Sequence, residues 1–115
     1  MITRVGRFEG LSAEAAAESQ RNLQERFMPA LRAQAGFILG LWLEGEDGKL
    51  LSITVWESTE AMVAGAQQAN ATPLLPGQDP KKIPSPNLVE YFKVSAYAER
   101  LLGDVADGPE ARPGS

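Results

Sequence analysis

The sequence of 115 residues contains no cysteine and no histidine. Without cysteine the chain forms no disulfide, offers no thiolate nucleophile and holds no iron–sulfur cluster or zinc finger. Without histidine it has no imidazole base, no Ser-His-Asp triad and no histidine to ligate a haem iron. A magnesium or calcium site made of Asp and Glu is still allowed. The composition therefore excludes the commonest kinds of acid–base, nucleophilic and metal catalysis.

Long apolar runs and a surplus of positive charge are also missing. The net charge is −4, which argues against nucleic-acid and anionic-membrane partners, because both need a positive field. No apolar run approaches the ~18–20 residues that span a bilayer, and residues 1–5 lack the apolar core of a signal peptide. We therefore expect a soluble cytoplasmic protein, with one main domain as is usual at this length.

Two helices are predicted, each from a serine N-cap followed by good helix formers. Ser12 precedes residues 13–34, which are rich in Ala, Glu, Gln, Arg and Leu, and Ser58 precedes an alanine-rich segment that runs to about residue 70. Pro29 lies inside the first helix and lacks the N–H that a helix interior needs. We expect a kink there, or a break that leaves Pro29 in a short final turn.

Strand patterns flank these helices. The four predicted strands are residues 1–9, 37–43, 50–56 and 88–97. Asp47-Gly48 between the middle two is a strong hairpin signal. The order β-α-β-β-α-β is that of the ferredoxin-like α+β fold, an antiparallel sheet with both helices on one face.

The chain also has segments without regular structure. Residues 71–86 hold five of the eight prolines, so we predict a long loop, which in a compact domain is either functional or disordered. We place the domain at residues 1–97, and predict a short helical turn at 98–102 within a tail, 98–115, that is otherwise disordered.

The second strand is apolar without alternation, as if both of its faces were buried. Strict alternation puts Ile38 and Trp42 on the face away from the helices, and Phe37, Leu39, Leu41 and Leu43 on the other. A monomer rarely exposes so large an apolar patch. We therefore expect a homodimer that buries its helix-free faces, with Ile38 and Trp42 at the interface.

A sequence resemblance supports this architecture. The segment Gly36-Phe37-Ile38, together with residues 48–61, Gly-Lys-Leu-Leu-Ser-Ile-Thr-Val-Trp-Glu-Ser-Thr-Glu-Ala, resembles the centre of the antibiotic biosynthesis monooxygenase-like family. The resemblance covers roughly residues 1–97 and implies a dimeric α+β barrel. Members of that superfamily include cofactor-free quinone-forming monooxygenases, haem-degrading enzymes, polyketide cyclases and isomerases, so the fold alone does not decide the activity.

The missing histidine helps to choose among these functions. The haem-degrading branch depends on a histidine that ligates iron, and this chain has none. The resemblance then implies a homodimer without a cofactor that binds a small aromatic, phenolic or polyketide-like substrate as a monooxygenase. The alternative is a non-catalytic binding or stress-associated dimer, and a large cavity lined by Trp56 and inward polar groups would favour binding or catalysis.

Four residues are candidates for substrate binding, and the first three also have a structural alternative. Trp56 either stacks on an aromatic substrate and donates its N–H, or covers the junction of strand and helix. Asn70 either holds substrate oxygens, as an asparagine does in the monooxygenases that this chain resembles, or caps the helix in a left-handed conformation. Arg4 either holds an anionic substrate or pairs with Glu90 in the last strand. Tyr91 offers a hydrogen-bond donor.

Acidic residues gather in the hairpin turn. Glu44, Glu46 and Asp47 lie close together in the sequence, but their spacing lacks the pattern of a calcium loop. We interpret them as a solvated turn and predict no metal site.

Overall fold

The computed structural model describes residues 1–100, so the tail beyond them lies outside the description. The strands are β1 (Ile2–Phe8), β2 (Phe37–Glu44), β3 (Leu50–Trp56) and β4 (Leu88–Lys93), and the helices are α1 (Ala13–Asn22), a π-helical segment (Leu23–Phe27), α2 (Met28–Arg32) and α3 (Thr59–Asn70). The strands form one antiparallel sheet in the order β2-β3-β1-β4. The predicted ferredoxin-like α+β fold is confirmed.

The local signals for helix starts and for the hairpin act as expected. The hydroxyl oxygens of Ser12 and Ser58 each accept a hydrogen bond of 3.1 Å from the backbone N–H three residues later. In the turn between β2 and β3, Asp47 and Gly48 have φ angles of 56° and 72°. Two successive left-handed residues are what a tight hairpin turn needs.

The first helical stretch changes its hydrogen bonding before Pro29. The N–H of Met28 bonds to the carbonyl of Leu23, five residues back, and Pro29 then lies in the first turn of α2. Proline is tolerated in a first turn because an N–H there has no partner within the helix. The predicted short final turn is confirmed, and a π-helical segment makes the connection to it.

A β-bulge in β2 corrects the predicted faces of that strand. The register against β3 shifts between Phe37 and Leu39, so Ile38 is an extra residue that reverses the direction of every later side chain. Trp42 therefore lies on the helix side of the sheet, where it packs against the core. Its predicted place on the helix-free face is wrong, and the residues of β2 that take that face are Leu39, Leu41 and Leu43.

The helix-free face is nevertheless strongly apolar, as expected. On this face, β2 and β4 carry five large apolar side chains that are each 44–51% exposed. They are Leu39, Leu41, Leu43, Leu88 and Phe92. Ile38 at the bulge is 46% exposed. Among the residues described, this face has one ion pair, between Arg7 Nε and Glu90 Oε1 at 2.6 Å.

The last strand is shorter than predicted. β4 pairs only with β1, with Lys93 opposite Ile2, and the N–H of Val94 donates to the carbonyl of Met1. The strand therefore ends opposite the first residue of β1 and does not continue to residue 97. Residues 98–100 form no helix, and the rest of the predicted helical turn lies outside the described residues.

The core lies between the sheet and the helices, at the end of the sheet where β3 meets α3. Its buried members are Leu31, Trp56, Met62 and Ala69. None of the helices within residues 1–100 combines the length and apolar character needed to cross a bilayer.

Candidate functional site

A cavity of about 510 Å³ opens between the helix side of the sheet and the helices above it. This volume lies in the range of roughly 300–1,000 Å³ that is usual for small-molecule sites. Leu23 and Phe27 form part of its roof, and Ile83, Pro84 and Pro86 from the proline-rich loop cover one side. The polar residues that line it include Arg4, Asn22, Arg26, Ser52, Thr54 and Asn70.

Two rows of residues cross β2, β3 and β1 to form what we call the floor of the cavity. In strand order, the first row is Gly40, Thr54 and Arg4, and the second row is Trp42, Ser52 and Gly6. The middle positions carry short hydroxyl side chains. The floor is therefore low in the centre, with an indole ring on one side and a guanidinium group on the other.

Arg4 has no charged partner in the described part of the chain. Its side chain is half-buried, and no carboxylate oxygen of residues 1–100 lies within 4.0 Å of it. The predicted pairing with Glu90 is wrong, because Glu90 lies opposite Val5 on the helix-free face and binds Arg7 there. A partly desolvated guanidinium without a partner favours an anionic ligand, which it binds through charge-assisted hydrogen bonds.

Trp42 lies across the backbone of Gly40. A Cβ atom at Gly40 would be only 2.3 Å from Trp42 Cη2, so this position of the ring requires glycine two residues earlier on the same strand. Trp42 is half-buried and lines the cavity. The indole therefore forms an aromatic wall whose place depends on a residue without a side chain.

Trp56 lines the same cavity but is 1% exposed. Its Nε1 donates to the hydroxyl oxygen of Thr54 at 3.0 Å, and its ring meets Phe37 edge-to-face with centroids 5.2 Å apart. A Cβ atom at Gly65 of α3 would lie 2.3 Å from the indole. The geometry supports the structural interpretation of Trp56, since its donor is occupied and its ring fills the junction between β3 and α3.

Asn70 is the last residue of α3. It is exposed and lies at the rim of the cavity. The left-handed cap proposed as its structural role is wrong, because Asp47 is the only non-glycine residue with positive φ in the described chain. The helix instead ends through Ala71 in a right-handed conformation. The Asn70 backbone carbonyl accepts a hydrogen bond of 2.9 Å from Arg26 Nη2.

The structure does not bring Tyr91 into the cavity. Tyr91 lies opposite Arg4 on β4, but it is 57% exposed and is not among the cavity-lining residues. β4 is an edge strand, and the cavity lies above β2, β3 and β1. Within residues 1–100, no group of three or more acidic side chains is placed to hold a metal ion.

Arg26 is a buried residue that the sequence did not single out. It is 9% exposed, and its Nη2 donates to the carbonyls of Asn70 and Thr72 at 2.9 and 2.6 Å. Its Nη1 donates to Asn22 Oδ1 at 3.2 Å. A positive charge at the carbonyl end of a helix is favourable, so Arg26 closes α3 and shapes the roof of the cavity.

Gln78 fixes the first half of the proline-rich loop. It is buried, its Nε2 donates to Asn22 Oδ1 at 3.0 Å and to Glu18 at 3.3 Å, and its Oε1 accepts from the N–H of Leu75. These bonds fasten the loop to α1. The second half of the loop then continues over the cavity.

A scan against protein-family models and a search of curated protein sequences gave no match. Solved structures do match. SnoaB, a cofactor-independent oxygenase from Streptomyces nogalater, is 20% identical, with a TM-score of 0.53 over 90% of this chain and 97% of SnoaB. The heme-degrading protein Rv3592 from Mycobacterium tuberculosis is 19% identical, with a TM-score of 0.59 over 85% and 98% of the two chains.

A third match has no assigned activity. NE2512 from Nitrosomonas europaea, a protein of unknown function, is 17% identical, with a TM-score of 0.54 over 89% of this chain and 95% of its own. These likenesses extend over nearly the whole of each solved chain. They establish that the protein has the fold of the antibiotic biosynthesis monooxygenase-like proteins, and a function must be argued from its own cavity.

Proposed function

We propose that the chain forms a small-molecule-binding homodimer that acts as a cofactor-independent monooxygenase on a phenolic or polyketide-like substrate. The observation that carries the proposal is Arg4, a half-buried guanidinium without a carboxylate partner in the described chain, on the floor of a cavity of about 510 Å³. A phenolate oxygen supplies the negatively charged partner that Arg4 lacks in the described chain. The aromatic body of the substrate then lies against the indole of Trp42.

Of the activities found among the similar structures, the composition of this chain favours cofactor-independent oxygenation. SnoaB is a cofactor-independent oxygenase and Rv3592 is a heme-degrading protein. This chain has neither histidine nor cysteine to ligate a haem iron. Apart from the exposed carboxylate of Glu44, the polar side chains that line its cavity carry guanidinium, hydroxyl and carboxamide groups, which suit the oxygen atoms of an organic anion.

The chemistry needs no external reductant. The substrate enters as its anion after it has lost a proton to solvent, and its electron-rich ring carbon gives an electron pair to O₂ to form a C–O bond. The resulting peroxide takes up a proton, loses the second hydrogen of that carbon and releases water as the O–O bond breaks. A CH₂ group and O₂ thus become a carbonyl group and water, and Arg4 stabilises the anion from which the electrons leave.

The other predicted binding residues have smaller parts in this proposal. Asn70 at the rim offers its carboxamide to substrate oxygens, and Trp56 contributes the edge of its buried ring to the wall. Tyr91 has no part, since it does not line the cavity. The hydroxyls of Ser52 and Thr54 lie on the floor between the two ends of the site.

The homodimer is proposed from the helix-free face. Its large apolar side chains in β2 and β4 are each 44–51% exposed, and burial of such a patch stabilises association by roughly 25 cal/mol per Å² of apolar surface. Light scattering should give the mass of a dimer. A Leu41→Lys variant should give the mass of a monomer, and a monomeric wild-type protein at micromolar concentration would contradict the dimer.

Oxygen uptake with a panel of anthrones and hydroquinones tests the activity. Uptake should exceed that of buffer for at least one compound, and Arg4→Met should abolish the gain. Arg32→Met is the matched control, because Arg32 is exposed at the end of α2 and does not line the cavity. No uptake with any compound would overturn the proposal.

Binding without uptake would support the alternative, a non-catalytic binding protein. One observation favours it: the single carboxylate among the cavity-lining residues is Glu44, which is exposed. The site therefore offers little for proton transfer, and turnover depends on the reactivity of the substrate itself.

A further inference from the structure

We infer that residues 79–86, which we call the strap, form a lid that opens about its two fixed ends and admits a ligand to Arg4. In the structure the strap is closed, because Ile83, Pro84 and Pro86 line one side of the cavity. The inference rests on the proposed function only where it takes Arg4 as the group that binds the ligand. The opening of the strap does not depend on what the cavity binds.

Both ends of the strap are held to the body of the protein by hydrogen bonds. Before the strap, the side chain of Gln78 is bonded to two residues of α1. After it, the N–H of Asn87 donates to the carbonyl of Arg7 at 2.7 Å, and Asn87 Oδ1 accepts from the N–H of Glu9 at 2.8 Å. These bonds fix the two points about which the strap can swing.

Between its ends the strap makes no hydrogen bond or ion pair with any other part of residues 1–100. The hydrogen bonds of its N–H groups, at Lys81, Lys82 and Ile83, stay within the strap. Ile83, Pro84 and Pro86 are half-buried, and the other residues of the strap are exposed. Opening therefore breaks no hydrogen bond and costs only the partial burial of three apolar side chains.

The composition of the strap makes it stiff. Prolines occupy positions 80, 84 and 86. Proline fixes its own φ angle and restricts the residue before it, so few dihedral angles within the strap are free to change. Lids of enzymes absorb their motion in a few hinge residues. We therefore expect the strap to swing as one unit about its ends.

Pro86 closes the strap at the place where the Arg4 guanidinium lies. Gly6 of β1 is buried and is not among the residues that line the cavity. A Cβ atom at Gly6 would lie 3.5 Å from Pro86 Cβ and 3.6 Å from Arg4 Nη1. The proline ring and the guanidinium thus share the space above one glycine, and the removal of Pro86 from it uncovers the guanidinium.

An introduced thiol measures the opening without any ligand, because the chain has no cysteine of its own. In a Gly6→Cys variant the thiol lies beneath Pro86, so iodoacetamide reaches it only when the strap is open. Labelling should be at least about tenfold slower than in the Gly6→Cys/Pro86→Gly double variant, where the same thiol beside the same guanidinium is uncovered. It should also be at least about tenfold faster than global unfolding, measured in urea and extrapolated to water.

A disulfide between positions 6 and 86 should lock the strap. The spacing of 3.5 Å between the two Cβ positions lies within the range of about 3.5–4.5 Å found in disulfides. The probe is 4-nitrobenzoate, a stable anion whose nitro group quenches the fluorescence of tryptophan, and both Trp42 and Trp56 line the cavity. In the Gly6→Cys/Pro86→Cys variant, oxidation should slow the association of this probe by at least about tenfold, and reduction should restore it. Each single-cysteine variant, treated with the same oxidant, is the matched control and should show no change.

The outcomes separate the strap from the proposed function. Labelling of the Gly6→Cys thiol that is only as fast as global unfolding would show that the strap does not open. Association of 4-nitrobenzoate that is equally fast in the oxidised and reduced double variants would show that the ligand enters elsewhere, and either result overturns the inference. If the thiol is labelled as expected but Arg4→Met binds 4-nitrobenzoate as the wild type does, the anion site of the proposed function is wrong and the opening of the strap is upheld.

Discussion

The two tryptophans lie on the same side of the sheet, each against a glycine, yet they belong to opposite kinds of site. At what we call the packed end, Trp56 is enclosed between β3 and Gly65 of α3 and its N–H is bonded to Thr54. At the open end, Trp42 lies on Gly40 of its own strand and borders the cavity. Gly65 on the facing helix lets Trp56 pack inside the core, whereas Gly40 on the same strand lets Trp42 lie along the sheet and form a wall of the cavity.

The largest difference between the two ends should appear when each tryptophan is removed. Trp56→Ala should lower the free energy of unfolding by about 3–5 kcal/mol, because it leaves a cavity in a fully buried site. Trp42→Ala should cost less than half as much, since its ring is only half-buried. Urea unfolding of both variants at one protein concentration measures the difference, and equal losses would contradict the distinction.

The next largest effect should come from the two glycines. Gly65→Ala places a Cβ atom 2.3 Å from an indole that has no room to move, and such overpacking costs about 1–3 kcal/mol. Gly40→Ala creates an equally short contact, but the Trp42 ring can swing into the cavity. Its loss of stability should therefore be smaller, and a loss equal to that of Gly65→Ala would show that Trp42 is as confined as Trp56.

The packed end was largely predictable from sequence because its signals are local. Ser12 and Ser58 are placed as caps by their immediate neighbours, and Asp47-Gly48 specifies its turn by itself. The helix start, the hairpin and the β-α-β-β-α-β order then fix where β3 meets α3. Because Trp56 is the last residue of β3, its position at this junction can be predicted without further information.

The open end could not be derived in the same way, because its geometry depends on a non-local register. The run that begins at Phe37 is apolar on both faces, so its sequence carries no alternation from which the bulge at Ile38 could be found. The same reliance on register misplaced Glu90, which pairs with Arg7 on the helix-free face rather than with Arg4. Arg26 was missed because most of its partners are backbone carbonyls more than 40 residues later.

Two arginines, the buried Arg26 and the half-buried Arg4, extend the comparison to charge, and Arg26 should show the larger effect on stability. Arg26→Gln removes the donors to the carbonyls of Asn70 and Thr72, and hydrogen bonds from a charged group contribute about 1.5–3 kcal/mol. Arg32→Gln, on the exposed side of α2, should change stability by less than about 0.5 kcal/mol. Urea unfolding of both measures this, and equal effects would mean that Arg26 contributes no more than a surface arginine.

Arg4 should have little effect on stability, although we propose it as the group that binds the ligand. Methionine at this position covers the same apolar surface as the arginine stem, and no described carboxylate loses a partner. Arg4→Met should therefore change the free energy of unfolding by less than about 0.5 kcal/mol while it removes anion binding. Burying a charge that has no protein partner costs desolvation energy. If Arg4 serves to bind a ligand, the Arg4→Met variant should therefore lose binding while its stability is unchanged or slightly higher. A large loss of stability would instead mean that Arg4, like Arg26, holds the structure together, and the distinction between a packed and an open end would then not extend to charge.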